Sequence, residues 1–157
     1  MGYFEMAQIC LNGHCITGSV NFSPELTSPF CEKCGQKTIT ECLHCNESIR
    51  GVYCEYDVPY VNYTVPSYCL SCGKPYPWTE RILSAAKELI GEESIDDDTK
   101  AELIEVLPDI IADNPRTAVA VSRLQRFGKK AAVFTLNTAK ELLVSFACEA
   151  AKRSLGW

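Results

Sequence analysis

At 157 residues, with 46% hydrophobic and 22% charged side chains and a net charge of −5, the chain has the composition of one or two small globular domains. It holds no apolar run of about 18 residues and no basic-then-apolar leader, so the expectation is a cytoplasmic protein without a membrane span or secretion signal. An acidic chain is also a poor default partner for a polyanion, because the phosphate attraction that dominates nucleic-acid binding is missing.

Cysteine dominates the N-terminal half. Nine of the ten cysteines precede Trp78, and most fall in pairs with a two-residue gap. A tight turn of that length aims two thiolates at one ion, so metal binding explains the spacing better than disulfides. In chain order the candidate pairs are Cys10 with His14, Cys31 with Cys34, Cys42 with Cys45, and Cys69 with Cys72. Zinc takes four sulfur or imidazole ligands tetrahedrally, so two pairs complete one site and the chain should hold two structural zinc ions. Seven thiolates and two zinc ions would take the charge from −5 to about −8. Four protein ligands leave no open position for water, which argues against hydrolytic zinc chemistry.

Gly35 and Gly73 follow two of the pairs and permit backbone geometry that brings amide N–H groups to the sulfurs. Residues 37–41 favour a strand and lead from one pair to the next, which suits pairing in sequence order more than a cross-braced scheme. The expected fold of residues 1–78 is therefore a tandem zinc ribbon of short antiparallel hairpins. Cys15 stands beside His14, and either residue has an acceptable spacing from Cys10. A nucleophile–base couple of Cys54 and His44 would need spatial adjacency, and the simpler expectation is a packed strand thiol and an exposed knuckle residue.

Six of seven tyrosines lie between positions 53 and 76. Val52-Tyr53, residues 58–61 and Tyr63-Thr64-Val65 read as a hairpin. Some of these rings should cover the ribbon, with Tyr76-Pro77-Trp78 wedged at the boundary between halves. Others could form a recognition surface, since tyrosine joins rigid area to a polar tip.

From residue 79 to 157 the periodicity becomes helical. Thr79 is a candidate N-cap, Ile82, Leu83, Ala86, Leu89 and Ile90 form a stripe, and Gly91 is a stop. A second helix carries Leu103, Ile104 and Leu107 until Pro108 interrupts it. Asn114-Pro115 opens a third, with Ala120, Val121, Leu124 and Phe127 before Gly128. A last helix is expected from about Lys130 to Leu155, with Leu136, Ala139, Leu143, Phe146 and Ala150 on one face and Cys148 as a buried thiol. The whole is a small α+β protein whose C-terminal domain is a three- to four-helix bundle. Charge there is polarised: residues 80–113 hold 11 acids and 3 bases, residues 116–153 hold 8 bases and 2 acids. Complementary packing explains this as well as a docking surface does.

Cys-Leu-Asn-Gly-His at 10–14, Cys-Glu-Lys-Cys-Gly at 31–35, Ile49-Arg50-Gly51, residues 72–80 and Asn114-Pro115-Arg116-Thr117 resemble an uncharacterised bacterial double-zinc-ribbon family with a helical C-terminal region. The resemblance implies the fold and the metal sites, favours His14 over Cys15 as a ligand, and implies no activity. Cys15 and Cys54 are departures from its pattern. No carboxylate pair, phosphate-binding glycine loop or serine–histidine pattern points to an enzyme. The leading functional expectation is a zinc-binding adaptor that presents surfaces to a protein partner. The alternative is a nucleic-acid-binding zinc ribbon, whose aromatic rings would stack on bases.

Overall fold

The computed structural model describes residues 2–56, 58–59, 62–130 and 147–156. The chain divides into two compact units, Met1–Arg81 and Ile82–Trp157.

The first unit contains two small antiparallel sheets. One has the order β1 (Tyr3–Met6), β5 (Arg50–Glu55), β6 (Val58–Pro59); the other runs β3 (Cys15–Thr17), β2 (Gln8–Cys10), β4 (Thr38–Ile39). Ala7 joins β1 to β2, and its N–H donates to the Ile49 carbonyl at 2.8 Å, tying the two sheets together. Gly51 sits where backbone meets backbone: a Cβ there would lie 2.1 Å from the Gly18 carbonyl oxygen and 2.8 Å from that of Glu5. Only glycine fits such an approach.

Ala7, Ile9, Cys42, Ile49, Cys69, Tyr76 and Trp78 form the core of this unit. Tyr76 and Trp78 stack with ring centroids 4.6 Å apart, and the Trp78 indole N–H donates to the Pro66 carbonyl at 2.9 Å. A buried indole needs such a partner.

The expected hairpin is present in β5 and β6, with Tyr56 between them at φ 52°. Residues 60–61 lie outside the described set, and Tyr63 to Val65 are not strand. Tyr63 instead packs against the core and donates its hydroxyl to the Arg50 carbonyl at 2.8 Å.

The second unit is helical: α1 (Pro77–Glu92), α2 (Asp97–Ile111), α3 (Thr117–Lys130) and a short α4 (Glu149–Leu155), with α1 beginning in the first unit. Ala86, Ile90, Leu103 and Leu107 form one apolar cluster; Val106, Ile110, Ala120, Val121, Ala147 and Ala151 form another. Among the described residues no helix is long and apolar enough to cross a membrane.

Four expectations about helix ends are corrected. Thr79 is not an N-cap: α1 starts at Pro77, and the Thr79 hydroxyl donates to the Ser67 carbonyl at 2.7 Å. Proline suits a first helical turn because its missing N–H would have had no intrahelical partner there. Pro108 does not end α2, which continues to Ile111. Pro108 lies at an exposed position of the helix, and its missing N–H leaves the Ile104 carbonyl without the usual helical donor. Gly128 does not close α3, which runs to Lys130.

The last helix is not continuous to Leu155, because Ala147 and Cys148 are non-helical and Cys148 is the N-cap of α4. The Cys148 N–H donates to the Ile110 carbonyl at 3.0 Å, and the residue is half-buried rather than fully buried. The expected stripe positions Leu136, Ala139, Leu143 and Phe146 lie outside the described residues.

Asn114-Pro115-Arg116-Thr117 is a structural clamp on the end of α2. The Asn114 side-chain oxygen accepts from the Arg116 N–H at 2.7 Å. Asp109 accepts from the Asn114 amide at 3.1 Å and from Arg116 Nε at 3.0 Å. The buried Thr117 hydroxyl accepts from the Asn114 N–H at 3.1 Å and lies within donating distance of the Ala112 and Asp109 carbonyls, at 2.7 and 2.9 Å.

Candidate metal centres

Three segments of the first unit share one local structure. Phe30 bridges Lys37, Glu41 bridges Ser48, and Tyr68 bridges Pro75, so each bridge closes an eight-residue loop around a Cys-x2-Cys pair. Within each loop the first cysteine's N–H donates to a carbonyl five residues on: Cys31 to Gln36, Cys42 to Glu47, Cys69 to Lys74, at 2.8–2.9 Å. Its carbonyl accepts from the fourth residue on, which is Gly35, Asn46 or Gly73. Those three residues have φ of 69°, 60° and 70°. The left-handed turn is thus required at every knuckle, and Asn46 fills it where the other two use glycine, asparagine being the side chain that tolerates it best.

The fourth pair is built differently. Cys10 ends β2, and a three-residue turn through Gly13 (φ 87°) returns the chain to His14. The His14 N–H donates to Cys10 Sγ at 3.3 Å, and Cys10 N–H to the His14 carbonyl at 3.0 Å. A Cβ on Gly13 would meet Trp78 Cβ at 3.0 Å, so this turn is laid against the core.

The knuckles bring the candidate ligands together in sequence order. Cys10, His14, Cys31 and Cys34 form one group, Cys42, Cys45, Cys69 and Cys72 the other, and within each group the donor atoms all lie within 4.8 Å of one another. His14 Nδ1 stands 3.5 Å from Cys10 Sγ and 3.6 Å from Cys31 Sγ, while Cys10 and Cys34 sulfurs are 3.7 Å apart. In the second group Cys42 lies 3.8 Å from Cys72, and Cys45 3.6 Å from Cys69. Around a tetrahedral zinc with metal–sulfur bonds of about 2.3 Å, sulfurs sit about 3.8 Å apart; a sulfur and a nitrogen sit about 3.5 Å apart. The donor sets fit such an ion. These sulfurs are far too distant for disulfides, whose bond is about 2.05 Å.

Cys15 is not in either group. It is an exposed residue at the start of β3, next to His14 in sequence. Cys54 is fully buried in β5, and His44 is exposed on the second knuckle.

The environment of the sulfurs favours deprotonation at one member of each group. The backbone N–H of Gln36 holds the Cys34 thiol down to about 6. Those of Cys72 and Ser71 hold Cys69 down to about 6, with burial opposing. The Glu47 N–H favours the Cys45 thiolate too, but lost hydration and the three neighbouring sulfurs prevail and push Cys45 up to about 12. In the second group Cys69 therefore gives up its proton readily while Cys45 resists losing its own. A divalent cation removes that resistance, which is the usual coupling of metal binding to proton release.

Sequence reasoning missed two features. Asn46 was readable from the alignment of the three knuckles, since it stands where Gly35 and Gly73 do. The second feature, the exposed Leu43 and Leu70, was readable from the same alignment, since Cys-Leu-x-Cys recurs at 42–45 and 69–72.

A family model described as "Uncharacterized protein conserved in bacteria (DUF2321)" matches residues 3–155. No curated protein and no solved structure matches the chain.

Proposed function

The chain belongs to this bacterial family, and on that footing we propose that it is a zinc-dependent adaptor whose ribbon unit docks a protein partner. Two structural zinc ions would be held, one by Cys10, His14, Cys31 and Cys34, the other by Cys42, Cys45, Cys69 and Cys72. Thiols kept reduced for metal suit a reducing compartment, and we place the protein in the cytoplasm.

The observation that carries this reading is apolar surface on the ribbon unit. Phe4 is 53% exposed and meets Tyr53 edge-on across β1 and β5 with ring centroids 5.2 Å apart. The Arg50 guanidinium lies 4.5 Å from the Phe4 ring centroid. Tyr56 and Val58, next along the same hairpin, are 83% and 64% exposed. Aromatic rings and arginine are the side chains most enriched at the energetic centres of protein interfaces. Such a face also suits stacked bases, but residues 1–81 hold eight acids against five bases, which disfavours a polyanion.

The test compares partner recovery at physiological salt by the parent and by a Phe4→Ser, Tyr53→Ser variant whose zinc content is unchanged. A defined protein retained by the parent and lost by the variant is expected. Identical recovery from both would sink the docking face, and salt-sensitive binding of a single-stranded oligonucleotide would favour the nucleic-acid reading instead.

A further inference from the structure

The two clusters differ in a way that assigns them different chemistry. In the first, Cys10 and Cys31 are buried and His14 and Cys34 are partly covered; in the second, Cys42 and Cys69 are buried but Cys45 and Cys72 are exposed. The first holds three sulfurs and an imidazole, the second four sulfurs. Four thiolates on one divalent ion leave a net charge of −2 instead of −1, and so retain more electron density for attack on an electrophile. Each exposed sulfur of the second cluster also has a buried partner on the opposite knuckle: Cys45 faces Cys69 at 3.6 Å, and Cys72 faces Cys42 at 3.8 Å.

We infer that the second cluster is an oxidation site for hydroperoxides, in which Cys45 or Cys72 is attacked and Cys69 or Cys42 resolves it. This rests on the zinc reading above. In the first step the Cys45 thiolate attacks one peroxide oxygen. The O–O bond breaks, sulfur gives up two electrons, hydroxide (from hydrogen peroxide) or alkoxide (from an organic hydroperoxide) leaves, and Cys45 becomes a sulfenic acid. The Cys69 thiolate then attacks that sulfur; the S–S bond forms, the S–O bond breaks, and hydroxide departs. Cys72 and Cys42 react in the same sense. Two of four ligands are consumed, so the ion leaves. Cys42 and Cys69 are also members of the core with Tyr76 and Trp78, so their oxidation loosens the packing of the unit as well as its metal site. In the first cluster, the partial cover of His14 and Cys34 and the smaller number of thiolates oppose the same attack.

The experiment uses the full chain loaded with zinc, hydrogen peroxide as oxidant, a pyridylazo-resorcinol reading of released zinc, and differential alkylation with peptide mass spectrometry. The expected result is release of one zinc roughly tenfold faster than the other, accompanied by a Cys45–Cys69 or Cys42–Cys72 disulfide. Release of both ions at one rate, earlier oxidation of Cys10, Cys31 or Cys34, or zinc loss without a cross-knuckle disulfide would overturn the inference. A His14→Cys variant, which gives the first cluster a fourth thiolate, should keep the same order of release because cover still differs; a reversed order also counts against it. Elemental analysis before oxidation separates the two ideas. Fewer than two zinc ions sinks the structural-zinc reading and the inference with it, whereas two ions released in the wrong order sink the inference alone.

Discussion

Gly13→Ala should weaken zinc binding at the first cluster and leave the second unchanged. Gly13 has φ 87°, and an added Cβ would stand 3.0 Å from Trp78 Cβ and 3.2 Å from Cγ. A left-handed conformation costs a non-glycine residue about 1–2 kcal/mol. Overpacking against a buried ring costs about 1 kcal/mol more, the low end because a shift of a few tenths of an ångström relieves it. Together these are about 2–3 kcal/mol, or roughly 30- to 150-fold in zinc affinity if the strain falls on the closed Cys10–His14 turn.

Gly35→Ala is the internal control. Its φ is 69° and nothing lies within 4 Å of the added Cβ, so only the backbone cost applies, roughly tenfold. Gly35→Asn should bind nearly as well as the parent, because Asn46 already holds the equivalent turn at φ 60°. Chelator competition on each variant measures all three. Equal losses for Gly13→Ala and Gly35→Ala would refute the Trp78 contact, and no loss in either would refute the link between turn strain and metal affinity.

Three other outcomes follow from the packing. Thr117→Val keeps the shape but removes the hydroxyl that serves the half-buried Asn114 N–H and Ala112 carbonyl, so the helical unit should lose about 0.5–1.5 kcal/mol, read as an earlier helical melting transition by circular dichroism. The hydrogen bond from Arg116, with help from Asn114, holds the Asp109 carboxyl below its ordinary 3.8. A depressed carboxyl stabilises the fold above its unfolded pKa and loses that contribution as pH falls through the folded value, so Asp109→Asn should be less stable than the parent near neutrality and match it in strong acid. Denaturant melts across pH check this, and a pH-independent gap would contradict it. Gly51→Ala has no room beside the Gly18 and Glu5 carbonyls, and should lower the yield of folded, zinc-loaded chain; a variant with normal zinc content and melting would show that β1 and β5 can separate freely.

The second half of the chain shows where sequence reading runs out. Ala86, Ile90, Leu103 and Leu107 are buried as their helical spacing predicted, because an apolar stripe at that period has only one way to face a core. Helix ends were less legible. They depend on what each terminal group bonds to, and the partners of Thr79 and Cys148, the Ser67 and Ile110 carbonyls, are distant in sequence. The grouping of the cysteine and histidine side chains was the most legible part, since a Cys-x2-Cys turn is a local device whose geometry needs no distant partner. Choosing His14 over Cys15 did need one: it depends on how β2 and β3 pair, which sets the side of the strand each residue occupies.

That local character also explains why the ribbon unit can leave aromatic side chains outside. A unit of about 80 residues is marginal if burial alone must hold it together. Here two of the seven core residues, Cys42 and Cys69, are candidate ligands, so the same side chains would close the apolar cluster and hold the ion. Structural zinc contributes folding free energy of roughly 10–16 kcal/mol in small finger peptides, more than burying several additional side chains would. With zinc supplying stability at the knuckles, Phe4, Tyr53, Tyr56 and Val58 would not need to be buried for the unit to fold. Surface that would be a liability in a metal-free domain would then be available for the proposed partner. On the proposal above, the same dependence would make the second cluster a point of control: loss of its ion would remove a ligand set and part of the core together, and with them the platform on which the exposed face is displayed.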